Sequence, residues 1–136
     1  MKTPESPQSI IPLRIEQAEK TIEVVQQCLS QNMRALAANR IYYGMFYAML
    51  ALAAFREYKT SKHLQIIGWF NKNFVHTQIF PIHFGQMVKQ AYDARSNADY
   101  ELDMVPTDEE LAAMLSDMKL FISTIRTWLE AQLKEE

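Results

Sequence analysis

The stretch TDEELAAMLSDMKLFISTIRTWLEAQL, Thr107 to Leu133, decides the fold class. Thr107 and Glu110 form a T-x-x-E capping box, in which the hydroxyl accepts from one orphan backbone N–H and the carboxylate from another. Behind it Leu111, Leu115, Met118, Ile122, Ile125, Leu129 and Leu133 recur in steps of four and three, the spacing of one face of a long helix. A chain ending on such a helix has to bury that stripe against other helices or a sheet.

Upstream, the same period returns and the alternating pattern of strands does not. Ile15, Ala18, Ile22, Val25 and Leu29 place a first helix over about Leu13 to Ser30. A second, from about Asn32 to Tyr58, is apolar around nearly its whole circumference through Ile41, Tyr42, Met45, Phe46, Met49, Leu50, Leu52 and Phe55, which predicts a central position. Its polar residues Arg34, Asn39 and Arg40 stand near its start, and a buried Tyr on it needs a hydroxyl partner, for which Arg40 or a carboxylate from the fourth helix is available. Ser61 is placed to cap a third helix with Leu64, Ile67, Phe70 and Phe74 on one face. The pattern lapses from Val75 to Pro81, where Pro81 can open a fourth helix carrying Phe84, Met87, Val88, Ala91 and Ala98. The expected architecture is an all-α, up-and-down bundle of five helices over residues 10–136, behind a flexible arm of residues 1–9 that contains Pro4 and Pro7.

Composition agrees. The 136 residues make one ordinary domain, 49% are apolar, and only 3 Gly and 5 Pro interrupt them. The single Cys28 cannot form an internal disulfide and no signal-peptide pattern opens the chain, so a reducing, cytoplasmic setting is expected. The uncharged run Ile41–Phe55 is too short to suggest a membrane span, and no membrane partner is expected. A formal net charge of −2 gives no global attraction for a phosphate backbone, so nucleic acid would have to be held by a local basic patch.

Three features could carry chemistry. His63, His76 and His83 are scattered without the paired i, i+4 spacing of metal ligands, and Gly44, Gly68 and Gly85 are too isolated for a phosphate loop, so neither metal nor cofactor is expected. Tyr42, Tyr43, Phe46 and Tyr47 crowd one and a half turns, as core packing or as a stacking platform. The sharpest polar group is Arg95-Ser96-Asn97-Ala98-Asp99-Tyr100 at the end of the fourth helix, where Arg95 and Asp99 stand four apart, to form an exposed ion pair or hold a third group together. Lys62 and His63 begin the third helix, whose N-terminus attracts anions; it is either a solvated helix start or, with Arg40 and Arg95, half of a phosphate patch.

The run Asn39-Arg40-Ile41-Tyr42-Tyr43-Gly44-Met45-Phe46 resembles the SRAYYAAF segment of a prokaryotic branch of the HEPN family. Lys62-His63 falls where that branch carries Thr-His, Phe74-Val75 matches its F-V, and Arg95 to Tyr100 resembles its R-x-x-A-D-Y ending. The resemblance covers about Met33 to Tyr100 in the right order. It implies a helical bundle that forms homodimers across a shared cleft, a toxin-antitoxin setting with a nucleotidyltransferase partner, and metal-independent action on RNA, with nucleotide binding as a further expectation. In the family's ribonucleases an Arg is followed, after four to six residues, by a catalytic His. Here the Arg matches Arg95, but the window holds Tyr100, Glu101 and Leu102. The resemblance therefore implies Arg95, Asp99 and His63 as catalytic candidates, with His63 substituting for the absent base, and Arg40, Lys62 and Tyr100 as RNA- or nucleotide-binding candidates. Asp99 is equally open to a structural role as partner of Arg40, and Tyr100 is the nearest match to a tyrosine that nucleotidyltransferases modify in some members. The rival expectation is a dimeric, non-catalytic protein-interaction scaffold.

Overall fold

A computed structural model describes residues 7–100 and 104–135, apart from the side chains of Pro7 and Tyr100. Within them the chain forms α1 (Pro7–Ser30), α2 (Arg34–Phe55), α3 (His63–Phe70), which continues into a π-helical turn (Asn71–Val75), α4 (His83–Tyr100) and α5 (Asp108–Lys134). There is no strand among the described residues, and the bundle is all-α, as the periodicity predicts.

The α5 start forms as its sequence dictates. The Glu110 N–H donates to the Thr107 hydroxyl at 3.1 Å and the Thr107 N–H donates to the Glu110 carboxylate at 2.9 Å. The buried face, Leu111, Met114, Met118, Phe121, Ile122, Ile125 and Leu129, is wider than the four-three stripe. Leu115 and Leu133 flank it, partly buried, because α5 seats against both α1 and α2 and a groove between two helices takes a broad face.

Helix α2 is central, packing on α1, α3, α4 and α5. Ile41, Tyr42, Met49 and Leu52 have no accessible surface, and Met45 almost none. The apolar side chains of α2 and α4 are thus largely spent inside the chain; among the exposed large apolar residues of the described segments α2 contributes only Leu36 and α4 none. At Gly44 a Cβ would run into the Met118 Cε and stand 3.4 Å from the Thr21 Cγ2, so α1 and α5 side chains fill the space that the glycine leaves.

Three boundaries differ from the sequence reading. Helix α1 begins at Pro7, so residues 7–9 of the expected arm are helical, while residues 1–6 lie outside the described residues. Pro7 tolerates this as a first helical residue, and Pro12 forfeits one helix hydrogen bond while Ile11 and Ile15 are buried on either side of it. Ser61 does not cap α3; the capping position is Lys62, which makes no side-chain capping bond, and the Thr60 hydroxyl instead accepts from the Lys62 N–H at 3.2 Å. Pro81 stands two residues ahead of α4, its carbonyl accepting from the Phe84 N–H at 3.0 Å.

The α3 face also differs. Leu64 is 65% exposed, and the buried residues are Ile66, Phe70 and Phe74. Ordinary helical geometry explains the register, since Ile66 stands one turn before Phe70 whereas Leu64 stands about 120° around the axis from it; beyond Phe70 the chain enters the π-helical turn, where the His76 N–H donates to the Asn71 carbonyl five residues back at 2.8 Å and Phe74 remains buried. Helices α1 and α2 end with Asn32 and Glu57 in the left-handed region, at φ 58° and 56°. The following Met33 and Tyr58 N–H groups close back on Cys28 and Ala53 at 2.8 Å, the six-to-one bond that stops a helix and turns the chain. The second of these turns delivers the chain to the start of α3, and so places His63.

Candidate functional site

Residues from α2, the first position of α3 and the last turns of α4 meet around the side chain of Tyr42. The ring of His63 stacks on Phe46 with centroids 4.1 Å apart and planes 12° apart, and Tyr43 meets it edge-on at 5.7 Å. The Tyr42 hydroxyl lies 2.9 Å from His63 Nδ1. On α4, Tyr92 packs edge-on against Tyr42 at 5.5 Å, and one turn on the Arg95 guanidinium carbon lies 5.7 Å from the Tyr42 ring and 5.6 Å from the Tyr43 ring. The Arg40 guanidinium covers Tyr43 at 4.8 Å and donates through Nε to the Asn39 side-chain Oδ1 at 2.9 Å.

Arg95 and His63, far apart in sequence, therefore border the same two tyrosines. Their proximity is electrostatic as well as geometric. Partial burial, and behind it the positive charge of Arg95, hold the His63 imidazole below its ordinary pKa, so it is neutral near pH 7. Burial pushes the Tyr42 phenol well above its usual range against the opposing pull of Arg95, so Tyr42 stays protonated.

Arg95 and Asp99 form the ion pair that their spacing predicts, Nε to Oδ2 at 3.2 Å, but its setting differs from an exposed surface pair. The two side chains are 23% and 33% exposed. Nε is itself buried and its N–H is not aimed at a hydrogen-bond acceptor among the described residues, so the contact with Asp99 is an attraction between charges rather than a directed bond. Asp99 pairs with Arg95, and Arg40 has Asn39 and Tyr43 as its neighbours. Arg34, the other polar residue at the start of α2, donates to the Pro106 carbonyl at 3.1 Å, away from this group.

Of the six candidates, Arg95, Asp99, His63 and Arg40 come together. Lys62 is exposed beside His63, at the start of a helix whose first N–H groups have no side-chain cap. The Tyr100 side chain, with Glu101 and Leu102, lies outside the described residues. Sequence reasoning left Tyr42, Tyr43 and Phe46 between core and platform; Tyr42 is fully buried core and a polar contact of the site at once. The signal was the rule that a buried hydroxyl must find a partner, and that partner is His63, not Arg40 or an α4 carboxylate. Among the described residues no three His, Cys, Asp or Glu side chains gather as a metal-binding group, and no helix is long and apolar enough to cross a membrane.

The lowered His63 pKa has a consequence for stability. The unfolded chain takes a proton on this imidazole near the ordinary value of 6.5, while the folded chain resists it until lower pH. Across that interval the unfolded state binds more protons, so stability falls as the pH falls. Urea denaturation near pH 7 and near pH 5.5 is expected to show a smaller acid loss for His63→Gln than for the wild type; an equal loss would mean that the imidazole is not held neutral by the fold.

A buried tyrosine on α2, with an arginine from α4 and an imidazole from α3 brought to it, defines a small helical bundle with an intramolecular polar site. The HEPN domain family matches residues 11–128, and the chain belongs to that family. Among its relatives are two proteins of Methanocaldococcus jannaschii, each named "Putative toxin". One is 30% identical over 115 residues, covering 85% of this chain and 78% of that protein. The other is 27% identical over 116 residues, covering 85% and 86%.

Proposed function

We propose that this HEPN-family chain is the toxin-type member of a prokaryotic toxin-antitoxin pair and that its site binds RNA or nucleotide through phosphate. Arg95 and Arg40 supply guanidinium groups, Lys62 a flanking charge and His63 a neutral imidazole. The observation that carries the reading is the convergence of His63 and Arg95 over Tyr42, which brings an imidazole to the helix-four arginine although the motif around Arg95 has none. The names of the two Methanocaldococcus jannaschii relatives support the toxin class.

Cleavage by such a site is slow or absent. Attack by a 2′-hydroxyl needs one group to take its proton and another to protonate the departing 5′-oxygen, and each chain brings one imidazole to the site. Asp99 is occupied by Arg95. The proposal extends to a homodimer and to a nucleotidyltransferase as protein partner, both in keeping with the family; Leu64, exposed beside His63, is an apolar residue that a second copy could cover.

The test is fluorescence anisotropy of the purified chain with a short labelled single-stranded RNA at increasing salt. Binding that weakens steadily is expected, because each phosphate neutralised releases counterions, with a logarithmic slope of roughly −0.7 per contacted phosphate. Absence of binding at low salt, or binding indifferent to salt, would favour the protein-interaction scaffold.

A further inference from the structure

Tyr42 has no accessible surface, so its hydroxyl cannot be completed by bulk water. Its hydrogen-bond partner among the described residues is His63 Nδ1, 2.9 Å away. The pair can be arranged in two ways. If Nδ1 carries the hydrogen and donates to the phenol oxygen, the phenol O–H becomes a buried donor with nothing to receive it. If the phenol donates to the Nδ1 lone pair, both groups are satisfied and the imidazole hydrogen sits on Nε2. A buried unsatisfied donor is penalised and a satisfied pair is not, which selects the second arrangement. The phenol cannot escape the choice by ionising, since burial raises its pKa.

The imidazole is also prevented from exchanging its two nitrogens. Phe46 stacks on its face at 4.1 Å and Tyr43 packs edge-on at 5.7 Å, so turning the ring over would break the Tyr42 bond without replacing it. Nε2 has no hydrogen-bond partner among the described residues, and His63 is only partly buried. From this geometry we infer that Tyr42 is a positioning residue that holds His63 as its Nε2–H tautomer, so that His63 offers a phosphate oxygen a neutral N–H donor and not a lone pair.

This inference rests on the phosphate-binding reading for its ligand and deepens it. With Tyr42 occupying Nδ1 and a hydrogen on Nε2, neither ring nitrogen can take the proton of a 2′-hydroxyl. Arg95 and Arg40 are likewise donors only. The site is then a cradle for the non-bridging oxygens of a phosphate, and it binds without fast cleavage because of how Tyr42 sets the imidazole.

Two experiments test it. Long-range ¹H–¹⁵N spectra of the ¹⁵N-labelled chain near neutral pH are expected to show His63 with an acceptor-type Nδ1 and a hydrogen-bearing Nε2. In Tyr42→Phe, which keeps the ring and removes the oxygen, they are expected to show a mixture of tautomers. A wild-type Nδ1–H form, or a tautomer unchanged in a folded Tyr42→Phe, overturns the assignment. This arm needs no RNA, so it stands or falls separately from the phosphate reading. The second arm measures affinity for the labelled single-stranded RNA. His63→Gln, whose amide nitrogen can donate from the Nε2 position but cannot take a proton, is expected to bind within about threefold of wild type, whereas His63→Ala loses about tenfold, the scale of one hydrogen bond to a charged group. Equal losses in the two variants, or RNA cleavage by wild type that His63→Gln abolishes, overturn the donor role. If the wild type holds no RNA at all, the phosphate reading fails and the tautomer spectra alone decide the role of Tyr42.

Discussion

Arg95→Ala is expected to weaken binding of the single-stranded RNA by roughly ten- to a hundredfold while leaving a folded protein. The affinity term follows from chemistry: a guanidinium on phosphate makes charge-assisted hydrogen bonds, each worth about 1.5 to 3 kcal/mol, and about 1.4 kcal/mol is a factor of ten. The stability cost is not zero. At 23% exposure, over two tyrosine rings and paired with Asp99, the side chain is more enclosed than a surface ion pair, and its loss is expected to cost about 1 kcal/mol. Arg95→Lys separates charge from shape, because an ammonium keeps the attraction but loses the planar fork, and it should fall between wild type and alanine. Anisotropy on protein whose folded fraction is known from circular dichroism reads both effects. If alanine melts the protein while each folded molecule binds as before, Arg95 is a helix-locking residue and the scaffold reading prevails.

The parts of this site that the sequence made legible are those set by local spacing. Arg95 and Asp99 four apart on a helix could be expected to pair, and they do; Thr107 and Glu110 three apart could be expected to close a capping box, and they do. The meeting of His63 with Arg95 has no local signature. It depends on where α3 begins, which is fixed by the left-handed Glu57 turn and by Lys62 at the cap position, one residue beyond the Ser61 that residue type favours. The exposure of Leu64 follows from ordinary helical geometry: two successive steps of three, Leu64 to Ile67 to Phe70, each drift about 60° off one face, whereas Ile66, one turn before Phe70, shares its buried side. Tyr42 was hidden differently, since its apolar neighbours argue for core and its hydroxyl argues for a site, and both hold at one position.

Ile122→Ala should destabilise the fold by about 2 to 5 kcal/mol, the range for truncating a buried large aliphatic side chain. Ile122 is 1% exposed on the face of α5 that also carries Phe121 and Ile125, neither with any accessible surface. The loss combines the transfer of buried methyl groups with the cavity left among neighbours that can only partly relax. Phe46→Ala belongs to the same range and adds a second readout. Phe46 is 8% exposed and stacks on His63, so its removal should both lower stability and loosen the imidazole, seen as broadened or shifted His63 ring signals. Leu120→Ala is the control: two residues earlier on the same helix but 48% exposed, it should change stability by no more than about 0.5 kcal/mol. Urea denaturation of the three variants decides the matter. A loss below about 0.5 kcal/mol for Ile122→Ala, or equal losses for Ile122→Ala and Leu120→Ala, would mean that the buried face of α5 is wrongly placed. The seating of α5 on α2, the helix that carries Tyr42, would then have to be redrawn.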